Sequence, residues 1–451
     1  MLNLKKEFLE IKSFLNILKE RKFDNKNRLA LKNSSYQLLI SLSMKIGSLI
    51  FTIIMARLLL PEKMGLYSLA LSTIVFFSAF SDLGLGNAIF MYIPKKISQK
   101  KFQKAKGYFN FLLKLKLIIT SIVSLTLILL SKFISSTYYN KPIFYALIVG
   151  AFYLFINNIL GFYEQIFRSS NNFKTLWIKE IIFQLFRLFL IPISLIFLLR
   201  YNVNDEFLLF IIFLLLTMGY FISFLYLLKK SKKEIEFLKS QSFSLSKKEE
   251  KNVFKFLFPL TITSLSGIFF GYIDIIMLGR YVQSEFISYY TTAFNLIASL
   301  SVIIGFISVG VFPLLSSLRG NQLKNIFNKA LKYSFIISLF SSLFTLIFSN
   351  LIINLLYGKE YALGAIILRF YSVLILISPL ISLYENYFIS QRKTKTLASL
   401  IILTTLINII LNFFFIRYGV RHFNGLGGIL GACFATIISR LIYLVGLILR
   451  R

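Results

Sequence analysis

Among the ionisable residues of this 451-residue sequence, Lys45, Asp82, Arg187, Asp274 and Arg369 stand out as candidates inside long apolar runs. A charge that faces hydrocarbon there costs about 2.5–3.5 kcal/mol or more, so each needs a water-filled space, a partner or a ligand. Lys45 sits in SLSMKIGSL, flanked by Ser41, Ser43 and Ser48. It lies about ten residues into the first run, near mid-membrane depth at about 1.5 Å per residue. That setting suits a cation that offsets an anionic ligand. Arg187 in the fifth run and Arg369 in the tenth offer the same chemistry. Asp82 and Asp274 are candidate ion-coupling residues, since a desolvated carboxylate can take up H+ or Na+. Structural pairing is the competing reading for each: Lys45 with Asp82, Arg187 with Glu180, Asp274 with an intramembrane base. Lys114, Lys116 and Arg440 are expected to snorkel to the inner interface, and Glu164 and Glu385 to pair with nearby basic loops.

Other chemistries find little support. The single cysteine, Cys433, permits no intrachain disulfide, and with the single histidine, His422, it builds no metal cluster. The phosphate-loop pattern G-x-x-x-x-G-K-[ST] is missing, and GLGGILGA (425–432) opens an apolar run, where its glycines permit close helix packing. No cofactor is expected. Tyr138, Tyr139, Tyr201, Tyr281, Tyr289 and Tyr357 fall at expected outer ends and read as an interfacial aromatic belt.

The elements that position these residues are membrane helices. The chain is 57% hydrophobic and 15% charged, and its mean hydropathy is +0.75. Soluble domains carry about 25% charged residues. The apolar runs predict an all-α polytopic membrane protein of twelve transmembrane helices, each about 20 residues or longer. In the first half they cover 36–60, 64–91, 108–131, 142–166, 178–200 and 207–228. In the second they cover 256–279, 287–315, 333–350, 362–389, 397–416 and 425–449. The basic segment 1–35 spaces Leu4, Phe8, Ile11, Leu15 and Leu18 as an amphipathic surface helix would. Residues 229–255 are the most charged interior stretch and divide a lobe at 36–228 from one at 256–451.

The net charge of +33 follows the loops rather than a nucleic-acid face. Of the 51 Lys and Arg, 36 fall in the segments that lie inside if the N-terminus is inside, and nine in the outer ones. The positive-inside rule therefore places both termini in the cytoplasm, with the loops against anionic lipid and nucleic acid excluded as the main partner.

The halves resemble each other. YEQIFRSSNNFKTL (163–176) matches YENYFISQRKTKTL (384–397) at seven of 14 positions in register, Glu164 on Glu385 among them. ARLLLPEKMGLY (56–67) aligns with GRYVQSEFISYY (279–290), and Tyr139-Asn140-Lys141 with Tyr357-Gly358-Lys359. An even number of spans per half makes these parallel repeats about an axis along the membrane normal, an arrangement that places ligands between the halves.

The runs ARLLLPEKMGLYSLAL, SDLGLGNAI and IDIIMLGRYVQSEFISYYTTAFNL resemble the polysaccharide-export branch of the MOP (multidrug/oligosaccharidyl-lipid/polysaccharide) superfamily, which includes the Wzx-type O-antigen flippases. The resemblance covers the chain from about Tyr36 to its C-terminus, without the two extra C-terminal helices of the lipid II flippase MurJ. It implies a MATE-like fold and a non-enzymatic flippase in the cell inner membrane. The implied substrate is a polyprenyl-pyrophosphate-linked oligosaccharide carried from the cytoplasmic to the outer leaflet, with H+ or Na+ as the coupling ion. The residues that fit binding are Lys45, Arg187 and Arg369, and those that fit ion coupling are Asp82 and Asp274. A cation-coupled multidrug exporter is the alternative, although the buried charges lean basic. A membrane glycosyltransferase or polymerase needs a large catalytic outer loop, and the expected outer loops are short. One departure concerns the turn: the family's usual glycine before Pro61 is Leu60 here, and leucine takes positive φ less cheaply.

Overall fold

The structure, a computed structural model, describes residues 25–201, 203–241, 243–317, 320–391 and 393–451. Most of the expected amphipathic N-terminal segment lies outside the described residues. The described secondary structure is helical. Its α-helices are α1 (Asn25–Asp82), α2 (Leu85–Ser98), α3 (Phe102–Lys132), α4 (Phe144–Ser169), α5 (Phe173–Leu185), α6 (Ile191–Arg200), α7 (Asp205–Glu234), α8 (Lys247–Tyr281), α9 (Ser284–Ser317), α10 (Gly320–Leu356), α11 (Gly364–Ser390) and α12 (Thr394–Leu449). Nine stretches among the described residues are long and apolar enough to cross a membrane.

Helix count and membrane passes differ, because two helices fold back on themselves. α1 breaks at Leu60 (φ 58°, ψ 173°), and both of its arms line one cavity. Pro61 lacks an amide hydrogen and drives the preceding residue out of the helical region. α12 breaks at Phe423 and Asn424. Its two arms then run antiparallel: a Cβ on Gly446 would meet Leu400, one on Gly431 the Phe415 backbone, and one on Gly427 Gly419. Glycine is what lets these arms approach so closely. The fifth pass joins α5 to α6 through a π-helical turn, Phe186–Leu190. Pro192 follows and cannot donate to the carbonyl four residues back, which favours the wider turn. The helices outrun the expected apolar spans, most of all α10, expected over 333–350 and observed over 320–356.

Packing is inverted relative to a soluble bundle. α3 buries Lys116, Thr120, Ser124 and Ser131, while Ile122, Leu125 and Leu129 of the same helix are exposed. α10 buries Ser334, Ser338, Ser342, Thr345 and Ser349, and exposes Phe340, Ile347, Leu351 and Leu355. Small hydroxyl residues let helices approach and bond across the interface, while the apolar face meets lipid. The two stripes also agree in register. Lys116, Thr120, Ser124 and Ser131 correspond to Ser334, Ser338, Ser342 and Ser349 at the spacing that relates Tyr139 to Tyr357.

The ends of α4 and α11 match as closely. The amide of Asn172 closes onto Phe167 O at 2.9 Å, and that of Lys393 closes onto Phe388 O at 2.9 Å. Glu164 and Glu385 stand at the same place on these two helices, as the internal repeat requires.

Among the described residues the apolar core is continuous across both lobes at one end, while at the other only the start of α8 joins the first half. Around the Leu60 turn one cluster joins Met55, Leu59 and Leu69 of α1 to Ile287 and Tyr290 of α9, Tyr361, and Ile429 of α12. Towards the end that holds Glu164 and Glu385 there are two clusters. One is built from α2, α3, α4 and the start of α8, and the other from α9, α10, α11 and α12. Hydrogen bonds reinforce the joined end. Arg57 Nε donates to Leu356 O (2.8 Å) and its Nη2 to Leu355 O (2.5 Å). Tyr361 Oη donates to Ala56 O (2.9 Å) and Lys141 Nζ to Gly279 O (2.7 Å). Outside the membrane spans, α8 opens on a capping box in which Ser246 and Glu249 bond each other reciprocally. The Ser246 amide holds the Glu249 carboxyl below its usual range.

Candidate functional site

A cavity of about 460 Å³ lies between the two halves, walled by both arms of α1, by α4, α5 and α7, and by α8 and α9. Its size falls within the range of ligand sites. Lys45, from the first arm of α1, is an exposed wall residue, and among the described residues it makes no hydrogen bond or ion pair. The competing reading, a pairing of Lys45 with Asp82, does not occur among the described residues, where Asp82 pairs with Lys116.

Arg187 projects into the same cavity from the π-helical turn. Its Nη2 donates to Gln184 Oε1 at 2.8 Å, and its guanidinium lies 4.8 Å from the Phe51 ring centre and 5.3 Å from that of Phe183. Arg187 Nε is buried with no partner among the described residues. Glu180, the partner considered for Arg187, is reached only through Gln184, whose Nε2 donates to Glu180 Oε1 at 2.6 Å.

A third cation, Lys179, completes the wall. Its Nζ lies 2.5 Å from Glu164 Oε1 and 3.0 Å from Glu180 Oε2. Both glutamates are thus committed to Lys179, and Lys45 and Arg187 are left facing the cavity without a carboxylate. Glu164, expected to pair with nearby basic loops, instead pairs with a lysine of the neighbouring helix, and Lys179 was not among the candidates. The helix begins at Phe173, so Lys179 stands about a turn and a half into it rather than at its inner end.

The other candidates fall elsewhere. Arg369, on α11, is exposed, donates from Nε to Ser349 Oγ at 2.8 Å, and does not line the cavity. Asp82 lies 3.6 Å from Lys116 Nζ at the edge of a second chamber. Lys116 does not snorkel: it is buried, with Ser81 O at 2.9 Å and Asn158 Oδ1 at 2.8 Å. Asp274 is buried in the second half, where it accepts hydrogen bonds from Tyr290 Oη (2.7 Å), Asn412 Nδ2 (2.6 Å) and Thr436 Oγ1. The Asn412 Oδ1 and both side-chain polar atoms of Asn408, one turn away on α12, have no partner among the described residues. Glu385 accepts from Tyr443 Oη at 2.9 Å, within the bundle rather than from a loop. The ion-coupling pair is therefore split, Asp82 in one half and Asp274 in the other.

Comparison with known proteins fits this architecture. The family model described as polysaccharide biosynthesis protein matches residues 30–319, more than half of the chain. The MatE model matches residues 259–414. The uncharacterized membrane protein MJ1068 of Methanocaldococcus jannaschii is 23% identical over 319 residues, which span 67% of this chain and 61% of that protein. Among solved structures, the lipid II flippase MurJ in an inward closed conformation superposes with a TM-score of 0.68 at 18% identity, over 91% of this chain and 86% of its own. An inward-facing multidrug resistance MATE family transporter of the MOP superfamily superposes with a TM-score of 0.68 at 14% identity, over 92% of this chain and 98% of its own. At these identities the two structures speak for the fold, while the match over residues 30–319 settles descent: the chain is a multi-pass membrane protein that belongs to the polysaccharide biosynthesis protein family.

Proposed function

We propose that this protein is a flippase, a carrier rather than an enzyme. In this reading it moves a polyprenyl-pyrophosphate-linked oligosaccharide across the cell inner membrane for surface-polysaccharide assembly. The observation that carries the reading is the pair of cations, Lys45 and Arg187, on the wall of one cavity between the halves and without a carboxylate of their own. A pyrophosphate brings negative charge that hydrocarbon excludes, and fixed cations in a wet cavity offset that cost. The polyprenyl tail stays in lipid. With the basic loops inside, the end at which the halves part faces the cytoplasm, the leaflet where such a lipid is made. Transport then proceeds by rocking of the two six-helix lobes about the cavity.

A cation-coupled multidrug exporter needs free carboxylates in the cavity. Glu164 and Glu180 are both engaged by Lys179, which disfavours that reading. Asp274, with the unpartnered amide oxygens of Asn408 and Asn412 nearby, is the better-built cation position and the proposed coupling site for H+ or Na+.

The test is complementation of a strain that lacks this protein, scored by surface glycan against protein level. Lys45→Ala should express and insert normally yet block export, with lipid-linked oligosaccharide accumulating on the cytoplasmic leaflet. Lys45→Arg should keep part of the activity, because it preserves the charge. Wild-type surface glycan from a stably expressed Lys45→Ala variant would refute the assigned role.

A further inference from the structure

Beside the main cavity lies a second chamber of about 330 Å³, enclosed by the end of α1 and by α2, α3 and α4. That volume equals about ten water molecules and lies within the range of small-ligand sites. Asn157 and Gly161 line both spaces, so the two adjoin along one face of α4. A Cβ added at Gly161 would meet nothing within 4 Å, so the junction between them is open.

The chemistry of this chamber differs from that of the main cavity. Its one cation, Lys116, donates to Ser81 O and Asn158 Oδ1 and lies 3.6 Å from the Asp82 carboxylate as an ion pair. A buried ammonium already engaged by two oxygens and a carboxylate has little to offer a phosphate. What faces the space is the Asp82 carboxylate, whose side chain is 44% exposed, and the amides of Asn157 and Gln165. Those two amides make no hydrogen bond among the described residues. The neighbouring ammonium disfavours an added cation. A carboxylate beside two amides, without a free cation, matches a neutral ligand rich in hydroxyl groups, which donate to the carboxylate and exchange hydrogen bonds with the amides.

We propose that the chamber lined by Asp82, Asn157 and Gln165 is a glycan subsite. It receives sugar hydroxyls of the lipid-linked substrate while the pyrophosphate rests against Lys45 and Arg187. The inference rests on the flippase reading and adds a division of labour to it: charge is bound in the main cavity and hydroxyls in the side chamber. Because Asn157 and Gly161 belong to both walls, one ligand can occupy both at once.

The test uses the full chain in nanodiscs and two probes. One is sugar-free polyprenyl pyrophosphate. The other is the lipid-linked oligosaccharide pool extracted from a host strain that lacks this protein. Gly161→Phe should plug the junction, Gln165→Ala should remove one amide, and Gly161→Ala should leave the passage open. Gln165→Ala should weaken glycolipid binding by about tenfold with binding of the sugar-free probe unchanged, Gly161→Phe should weaken glycolipid binding more than sugar-free binding, and Gly161→Ala should lose less than Gly161→Phe. Undiminished glycolipid binding by Gly161→Phe and Gln165→Ala would overturn the subsite. So would an equal loss on both probes in variants whose Tm matches wild type, since the chamber would then serve the phosphates. Lys45→Ala separates the two claims: if it leaves both probes bound, the main-cavity reading fails, whatever the side chamber does.

Discussion

At the residue scale, the two cavity cations are held in different ways and should tolerate substitution differently. Lys45 is an exposed ammonium whose contribution is charge. Arg187 is a planar guanidinium beside Phe51 and Phe183, bonded to Gln184. A lysine there would keep the charge but lose the stacking and the fork geometry. Each cation–π contact is worth about 0.5–2 kcal/mol. Arg187→Lys should therefore lower export by about tenfold in vesicles matched for protein content, whereas Lys45→Arg retains activity. Equal tolerance at both positions would show that Arg187 acts as a point charge. Lys45 and Arg187 were legible in the sequence because each interrupts the middle of an apolar run. Lys116 and Lys179 were not, because each lies near the inner end of its expected span, where a lysine reads as one that snorkels to the interface. The helices start earlier than the apolar runs do, at Phe102 and Phe173, and carry both lysines into the bundle. One signal was available: Lys116, Thr120 and Ser124 recur every fourth residue and so share a buried face.

At the scale of the element, the Leu60 turn is a place where the chain departs from what its backbone prefers. The sequence showed that leucine stands where the family's usual residue is glycine, and the structure shows Leu60 at φ 58° regardless. A β-carbon at such dihedrals costs about 1–3 kcal/mol, and glycine's own entropic penalty is about 0.5–1 kcal/mol. The Leu60 side chain is 52% exposed, so removing it sacrifices little burial. Leu60→Gly should stabilise the protein by about 1 kcal/mol, read as a higher Tm of the purified protein in detergent. A lower Tm would mean that the leucine packs against lipid or protein strongly enough to outweigh the strain. Span existence was plain from apolar length and loop charge. The breaks were harder to see: that at Phe423 and Asn424 contains neither glycine nor proline. The π-helical turn at Arg187 was not legible at all, since a single widened turn leaves the apolar pattern intact.

Across the whole molecule, the halves share a fold register but differ in what they place at corresponding positions. At the spacing that relates Arg57 to Arg280, Phe51 corresponds to Asp274 and Tyr67 to Tyr290; at the spacing that relates Glu164 to Glu385, Arg187 corresponds to Asn408. The first half thus sets an arginine beside a phenylalanine where the second sets an asparagine near an aspartate. Matching frames thus carry opposite charge at corresponding positions, a difference the repeat alone did not foretell, and the proposed function uses it for an anion in one lobe and a cation in the other. The topology can be tested in a Cys433→Ala background with a membrane-impermeant maleimide. Ser136→Cys should label from outside and Gln241→Cys only from the cytoplasmic side; the reverse pattern would invert the orientation. Thr52→Cys, in the cavity, should label from the cytoplasmic side, and adding Arg57→Ala should expose it to the outer reagent by loosening the joined end. That joined end has one further property. Arg57, Lys141 and Tyr361 all donate to main-chain carbonyls of the opposite half, which every residue type supplies. The hydrogen bonds of the closure therefore ask for identity at three donors and almost none at the residues they grip. Over evolutionary time the exposed receiving residue Leu355 is free to drift in side-chain character without breaking the closure, whereas Ala56 and Gly279 are held by packing against the core, so random mutagenesis should find its sensitive positions at the three donors and at those two small residues.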